Sequence, residues 1–226
     1  MTATPEPGSD CRAEFRAAYA NRYTWEPGFA GYRGSCCWEQ PGSDSQPERR
    51  MAGTFQIGAD FKAVVEGIDD EQVHKAIASQ LWEVAIHRVR RSFEQTHAEN
   101  TFTAGDTDSV GTEVLVGGKN AGDRYRIKDD VVTMVHRHIH GTVVTIFTES
   151  VTQTGQGYLS HSYTSQYSDP ATGAARGGRN RFTDSFTPLG DSGPWVLRER
   201  IVETEATSDT PATRQRFRFE DLQPLA

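Results

Sequence analysis

The sequence predicts an α+β protein: a large curved antiparallel sheet, a half-barrel or open barrel, wrapped around one long helix, with a second helix near the N-terminus. Three observations carry this expectation. One long stretch, Asp69 to Phe93, places apolar residues at helical spacing. Beyond Thr101 the chain alternates short β-type runs with turn residues and shows no further helical period. Residues AVILMFWYC make up only 35% of the 226 residues, beside 21 glycines, which suits strands with one wet face better than a parallel sheet covered on both sides. No repeat and no long linker divides the chain, so residues 1–9 read as a disordered leader and 10–226 as one domain.

Asp10 is placed to cap a first helix, in which Phe15, Ala18, Tyr19, Arg22 and Tyr23 recur at helical spacing up to Trp25-Glu-Pro-Gly28. Gly31 to Glu39 reads as a strand closed by the turn-rich segment Pro41 to Pro47, and Met51 to Ile57 and Phe61 to Gly67 as the next two strands. In the long helix Val73, Ile77, Leu81 and Val84 form one stripe and Trp82, Ile86, Val89 and Phe93 a second beside it, so a wide buried face is expected. Acidic Asp69, Asp70 and Glu71 open that helix and Arg88, Arg90 and Arg91 close it, matching its dipole. Strands follow at Glu113 to Val116, Arg124 to Lys128, Val131 to Ile139, Thr142 to Ser150, Tyr158 to Tyr167, Arg179 to Phe186, Trp195 to Glu203 and Arg214 to Phe219. Asp129-Asp130, His140-Gly141, Asp169 to Gly173 and Gly190 to Pro194 supply the turns between them.

The 24 Lys and Arg against 31 Asp and Glu give a formal charge of −7, which disfavours nucleic acid as a partner. No window is apolar enough to span a membrane, and the acidic, Pro- and Gly-rich start lacks the basic and apolar regions of a secretory signal, so a soluble cytoplasmic protein is expected. Cys11, Cys36 and Cys37 suggest no disulfide framework, because the adjacent pair falls on opposite faces of a strand.

Four groups of residues could carry function. His136, His138 and His140 alternate, so neighbouring imidazoles share a strand face about 6.8 Å apart. With His140-Gly141 as a two-residue turn, Val135 pairs with Ile146, His136 with Thr145 and His138 with Val143, which turns the histidines away from the apolar face. A metal site on His136 and His138 then needs a third ligand from elsewhere, His161 being the candidate. Phe147, Tyr158, Tyr163, Tyr167 and Trp195 are the aromatic residues that could line an apolar pocket on the strands. Arg214, Arg216 and Arg218 share one face of the last strand and, with Arg88, Arg90 and Arg91 at the helix end, could dock an acidic protein surface. Gly190-Asp-Ser-Gly-Pro194, Asp106 to Gly111 and Val116 to Gly122 miss the spacings of a protease nucleophile loop, a calcium loop and a Walker loop, and no motif specifies a cofactor.

Several co-linear segments, among them Phe15 to Trp25, Gly31-Tyr32, Val65 to Glu71, His87 to Gln95, Asn100-Thr-Phe102 and Thr154 to Tyr158, resemble family 3386 of domains of unknown function, found in cyanobacteria and plant plastids. The resemblance spans about residues 11 to 205, carries no established activity, and implies a soluble protein of a phototroph, stromal or cytoplasmic. The order of elements is also similar to the half-barrel of lipoprotein-carrier proteins, a likeness of fold alone. Together these readings favour a non-enzymatic binding or carrier protein for an apolar ligand or partner segment. A metal-dependent enzyme on His136 and His138, and an assembly factor working through the arginines, are the alternatives.

Overall fold

A computed structural model of the chain describes residues 11–42 and 47–226; the leader 1–9 and the capping residue Asp10 lie outside them. The helices are α1 (Cys11–Ala20), α2 (Glu71–Arg88) and α3 (Phe93–His97). The strands are β1 (Gly31–Gln40), β2 (Arg49–Gly58), β3 (Ala63–Glu66), β4 (Asn100–Thr107), β5 (Thr112–Gly118), β6 (Arg124–Lys128), β7 (Val131–Ile139), β8 (Thr142–Thr154), β9 (Gly157–Ser168), β10 (Asn180–Pro188), β11 (Trp195–Thr204) and β12 (Thr213–Pro224). Twelve strands form one open sheet in the order β3-β2-β1-β12-β11-β10-β9-β8-β7-β6-β5-β4. The α+β class and the large antiparallel sheet are as expected. The chain forms two compact units, one running up to Tyr23 and resuming over Arg91–Gly177, the other made of Thr24–Arg90 and Gly178–Ala226.

The first unit holds α1, α3 and the strands β4 to β9. Its core cluster gathers Phe15 and Ala18 from α1, Phe93 from α3 and Val114, Val116, Tyr125, Ile127 and Val132 from the strands. Phe15 stands at its centre, with the rings of Tyr125, Phe93 and Phe102 at 4.4, 5.3 and 5.5 Å. Neither α3 nor β4 was expected. Five residues are too few for a helical period to show, but Ser92 and Gln95 cap α3 reciprocally, a Ser-x-x-Gln signature that is legible in sequence.

The β7–β8 hairpin has the register that a two-residue turn dictates: Val135 faces Ile146, His136 faces Thr145 and His138 faces Val143. His140 and Gly141 take φ of 48° and 75° there, the left-handed pair that a type I′ turn requires. Asp129 and Asp130 do the same between β6 and β7, with φ of 52° and 55°. A non-glycine residue in this region costs about 1–2 kcal/mol, less for Asp. Asp130→Gly, which leaves the carbonyl that accepts from the Asn21 amide at 2.9 Å, is therefore expected to raise stability by up to about 1 kcal/mol. A lower urea midpoint than wild type would contradict this.

The second unit holds α2 and the strands β1, β2, β3, β10, β11 and β12. Asp70 caps α2, its carboxylate accepting from the backbone N–H groups of Gln72 and Val73 at 3.0 and 3.1 Å. The helix stops where Val89 turns extended, at φ −63° and ψ 122°. Val73, Ile77, Leu81 and Val84 are buried, as are Tyr32, Phe55, Phe217 and Phe219 on the strands. At the end of the sheet order, the imidazole of His74 bonds the carbonyl of Val65 in β3 at 3.0 Å.

Candidate functional site

The second apolar stripe of the long helix is not buried beside the first. At 100° per residue, Trp82, Ile86 and Val89 centre about 150° away from Val73, Ile77, Leu81 and Val84, so the two stripes lie nearly on opposite sides. Trp82 is 51% and Ile86 37% exposed, one turn apart. Phe93 lies outside this helix altogether, in the core of the first unit.

Besides its buried stripe, α2 is tied to the sheet through a buried ion pair that the sequence reading missed. Arg200 on β11 stands opposite Asp184 on β10. Its Nε and Nη2 donate to the two carboxylate oxygens at 2.8 and 2.7 Å, and both residues are 2% exposed. Its Nη1 donates to Gln80 and Glu83 of α2 at 2.9 and 3.2 Å. One guanidinium thus holds two strands and the flank of the helix, with the Phe182 ring 5.2 Å away. A bidentate pair of this kind fixes direction as well as distance, while the burial of Val73, Ile77, Leu81 and Val84 turns Trp82 and Ile86 outward.

The five predicted aromatic residues do not make one pocket. Tyr158 is a core residue, 4% exposed, whose hydroxyl accepts from the Val132 N–H at 3.1 Å. Tyr163 and Tyr167 pair with Thr148 and Val144, whereas Phe147 pairs with Thr164, so strand alternation puts Phe147 on the opposite face from the two tyrosines. Phe147 and Tyr167 are 42% and 46% exposed. Trp195 belongs to the second unit, where its carbonyl accepts from the Trp25 indole at 3.0 Å.

The three predicted metal ligands are not assembled either. His136 and His138 share a face with ring centroids 5.7 Å apart. His136, however, is level with Thr145, and Thr145 with Gln166; His161 lies five residues further along β9, about 17 Å at ~3.4 Å per residue. Among the described residues no group of three or more His, Cys, Asp or Glu could hold a metal ion. Burial, with Arg124 and His138 near it, holds His136 below the ordinary imidazole range.

Most of the predicted docking arginines are engaged within the chain. Arg214, Arg216 and Arg218 pair with Glu203, Glu199 and Glu39 at 3.3, 2.5 and 2.6 Å. Arg216 and Arg218 also line a polar cleft of about 340 Å³ with Ser185, Arg198, Glu199 and Glu220. Arg90 clamps Glu26 through two bonds of 2.9 and 2.7 Å, and the Arg88 guanidinium lies 5.5 Å from the Phe186 ring centroid. Arg91 is exposed. An acidic partner would have to displace carboxylates already in place, and exposed pairs of this kind contribute only about 0–1 kcal/mol each. The three cysteines are free, and no described helix is long and apolar enough to cross a membrane.

The family model described as "Protein of unknown function (DUF3386)" matches residues 6–225. No curated protein matches the chain. Among solved structures it is similar to a LolA superfamily protein from Nitrosomonas europaea, at 9% identity and a TM-score of 0.39, over 97% of this chain and 95% of that one. It is similar also to a putative outer membrane lipoprotein-sorting protein domain from Vibrio parahaemolyticus, at 10% identity and 0.36, over 96% and 92%. A DUF1329 family protein from Desulfovibrio piger is similar at 9% and 0.31, over 94% and 92%.

Proposed function

The chain belongs to the family of proteins of unknown function DUF3386, and from that premise we propose that it is a non-enzymatic binding protein that takes up an apolar ligand or an apolar partner segment on the outward face of α2. The observation that carries this reading is Trp82, 51% exposed, with Ile86 one turn away at 37%. A single exposed apolar residue is ordinary, but two lie one turn apart on the helix face turned away from the buried stripe, and together they form a continuous apolar surface. Tyr167 and Phe147, exposed on the strands of the other unit, add apolar surface there.

The magnitude is sufficient for recognition. A tryptophan side chain buries about 150–250 Å², so covering its exposed half at about 25 cal/mol per Å² contributes roughly 2–3 kcal/mol. Titration with a fluorescent dodecanoyl probe tests the reading, with the tryptophan emission lost in Trp82→Ala as a second signal, because Trp25 and Trp38 are each 3% exposed and Trp195 is half-buried. Trp82→Ala is expected to weaken probe binding about 10- to 100-fold while leaving the urea midpoint almost unchanged. No uptake by the wild type, or equal uptake by the variant, would remove the reading.

A further inference from the structure

The β7–β8 hairpin carries a cluster that apolar binding leaves unused. His136 and His138 leave the same face of β7, and each ring is already held through its Nδ1. At His136 the partner is the Thr145 hydroxyl at 2.9 Å; at His138 it is the Asp123 carboxylate at 3.4 Å. Asp123 is itself 2% exposed and is fixed by the His138 backbone N–H at 2.9 Å and by Arg137 Nε at 3.3 Å. Gly122 closes the other side of the ring: at φ 95°, a Cβ there would stand 3.2 Å from His138 Cε1.

A carboxylate on Nδ1 favours the proton there, which leaves the Nε2 lone pair of His138 free, and the Thr145 hydroxyl can accept from Nδ1 of His136 in the same way. This is the arrangement in which an outer carboxylate or hydroxyl orients an imidazole for a metal. The spacing fits as well. With metal–nitrogen bonds of about 2.0–2.1 Å, each ring centroid stands about 3.2 Å from the ion, and a tetrahedral angle separates two centroids by about 5.2 Å. The observed 5.7 Å corresponds to an angle of about 126°, a ring separation that one ion spans once both Nε2 atoms turn toward it. Arg124, level with His136 on β6, opposes a cation; the Asp123 carboxylate offsets it.

We propose that His136 and His138 form a two-imidazole chelate for a borderline divalent transition-metal ion, Cu²⁺ most tightly, with the remaining coordination positions open to water or an external ligand. With no third ligand among the described residues, the ion exchanges rather than resides. This proposal stands independently of apolar binding.

The test is titration of the untagged protein with CuCl2 in a non-coordinating buffer, followed by electron paramagnetic resonance and by imidazole NMR. One saturable equivalent is expected, with nitrogen hyperfine structure from two imidazoles and broadening of the His136 and His138 ring resonances ahead of His97. His136→Gln and His138→Gln should each weaken binding at least about 10-fold, whereas His161→Gln should leave it unchanged. Unaltered binding in the His136→Gln/His138→Gln double variant, or no saturable equivalent in the wild type, overturns the proposal. Both glutamine variants alter a partly exposed face, and an unchanged urea midpoint shows that the fold is retained.

Discussion

Asp184→Asn is expected to destabilise the protein by about 3–5 kcal/mol, a large part of the 5–15 kcal/mol that holds a typical domain together. The variant keeps the shape of the site and removes its negative charge, leaving the Arg200 guanidinium at 2% exposure without the carboxylate that takes two of its bonds. An uncompensated buried charge is far more costly than a pair that was never there. Replacing both partners, Asp184→Leu with Arg200→Met, should therefore recover most of the loss. Urea unfolding of the single and double variants measures both; a single-variant cost below about 1 kcal/mol would mean that water reaches the pair. Because Arg200 also grips α2, the double variant should bind the dodecanoyl probe less tightly than wild type even where stability returns.

Acidification should weaken the first unit through His97. The imidazole is 6% exposed, with the rings of Phe93, Phe15, Tyr19 and Phe102 at 4.8 to 5.8 Å. Its Nδ1 accepts from the Asn100 amide at 3.1 Å, whose carbonyl accepts in turn from the Asn120 N–H at 3.1 Å. Burial, with Arg137, Arg22 and Arg12 adding repulsion against a weaker pull from Asp123, lowers its pKa from 6.5 to about 4. Between those values the unfolded chain binds the proton and the folded one does not. The contribution of His97 is thus complete above pH 6.5, falls as the pH drops below it, and is gone near pH 4, a loss on the order of 3 kcal/mol. Carboxylates titrate in the lower part of that window too, so the diagnostic is a comparison: His97→Gln should flatten the fall in urea midpoint between pH 6.5 and 5. Parallel wild-type and variant profiles would show that His97 is not the group responsible.

The sequence made the local features legible and left out those that depend on distant pairing. A two-residue turn at His140-Gly141 has only one register, and every pair in that hairpin follows from it. The burial of Val73, Ile77, Leu81 and Val84 follows from their spacing, while the placement of Trp82 and Ile86 fails on angle: stripes must be compared by rotation, not by neighbourhood in the chain. The family read from scattered segments is the one whose model matches residues 6–225. Asp184 and Arg200, 16 residues apart, escaped because charged residues on strands default to the wet face. A signal existed, since Arg200 falls in phase with Val202 and Asp184 with Phe182, all four buried. The dispersal of Phe147, Tyr158, Tyr163, Tyr167 and Trp195 over different faces and units was not legible, because it depends on the register of the β8–β9 pairing and on where the chain passes from one unit to the other.

An open sheet ends in strands whose unpaired peptide groups can recruit another chain, the first step toward fibrous association. At β3 this sheet ends in four residues, and the Val65 carbonyl that an incoming strand would need is taken by His74. At β4 it ends in a strand whose register shifts between Ala104 and Thr107, a bend that breaks the row of groups a newcomer must match. A bound imidazole at one margin and a misaligned rung at the other thus guard the chain against polymerising, and allow it to leave its sheet unclosed.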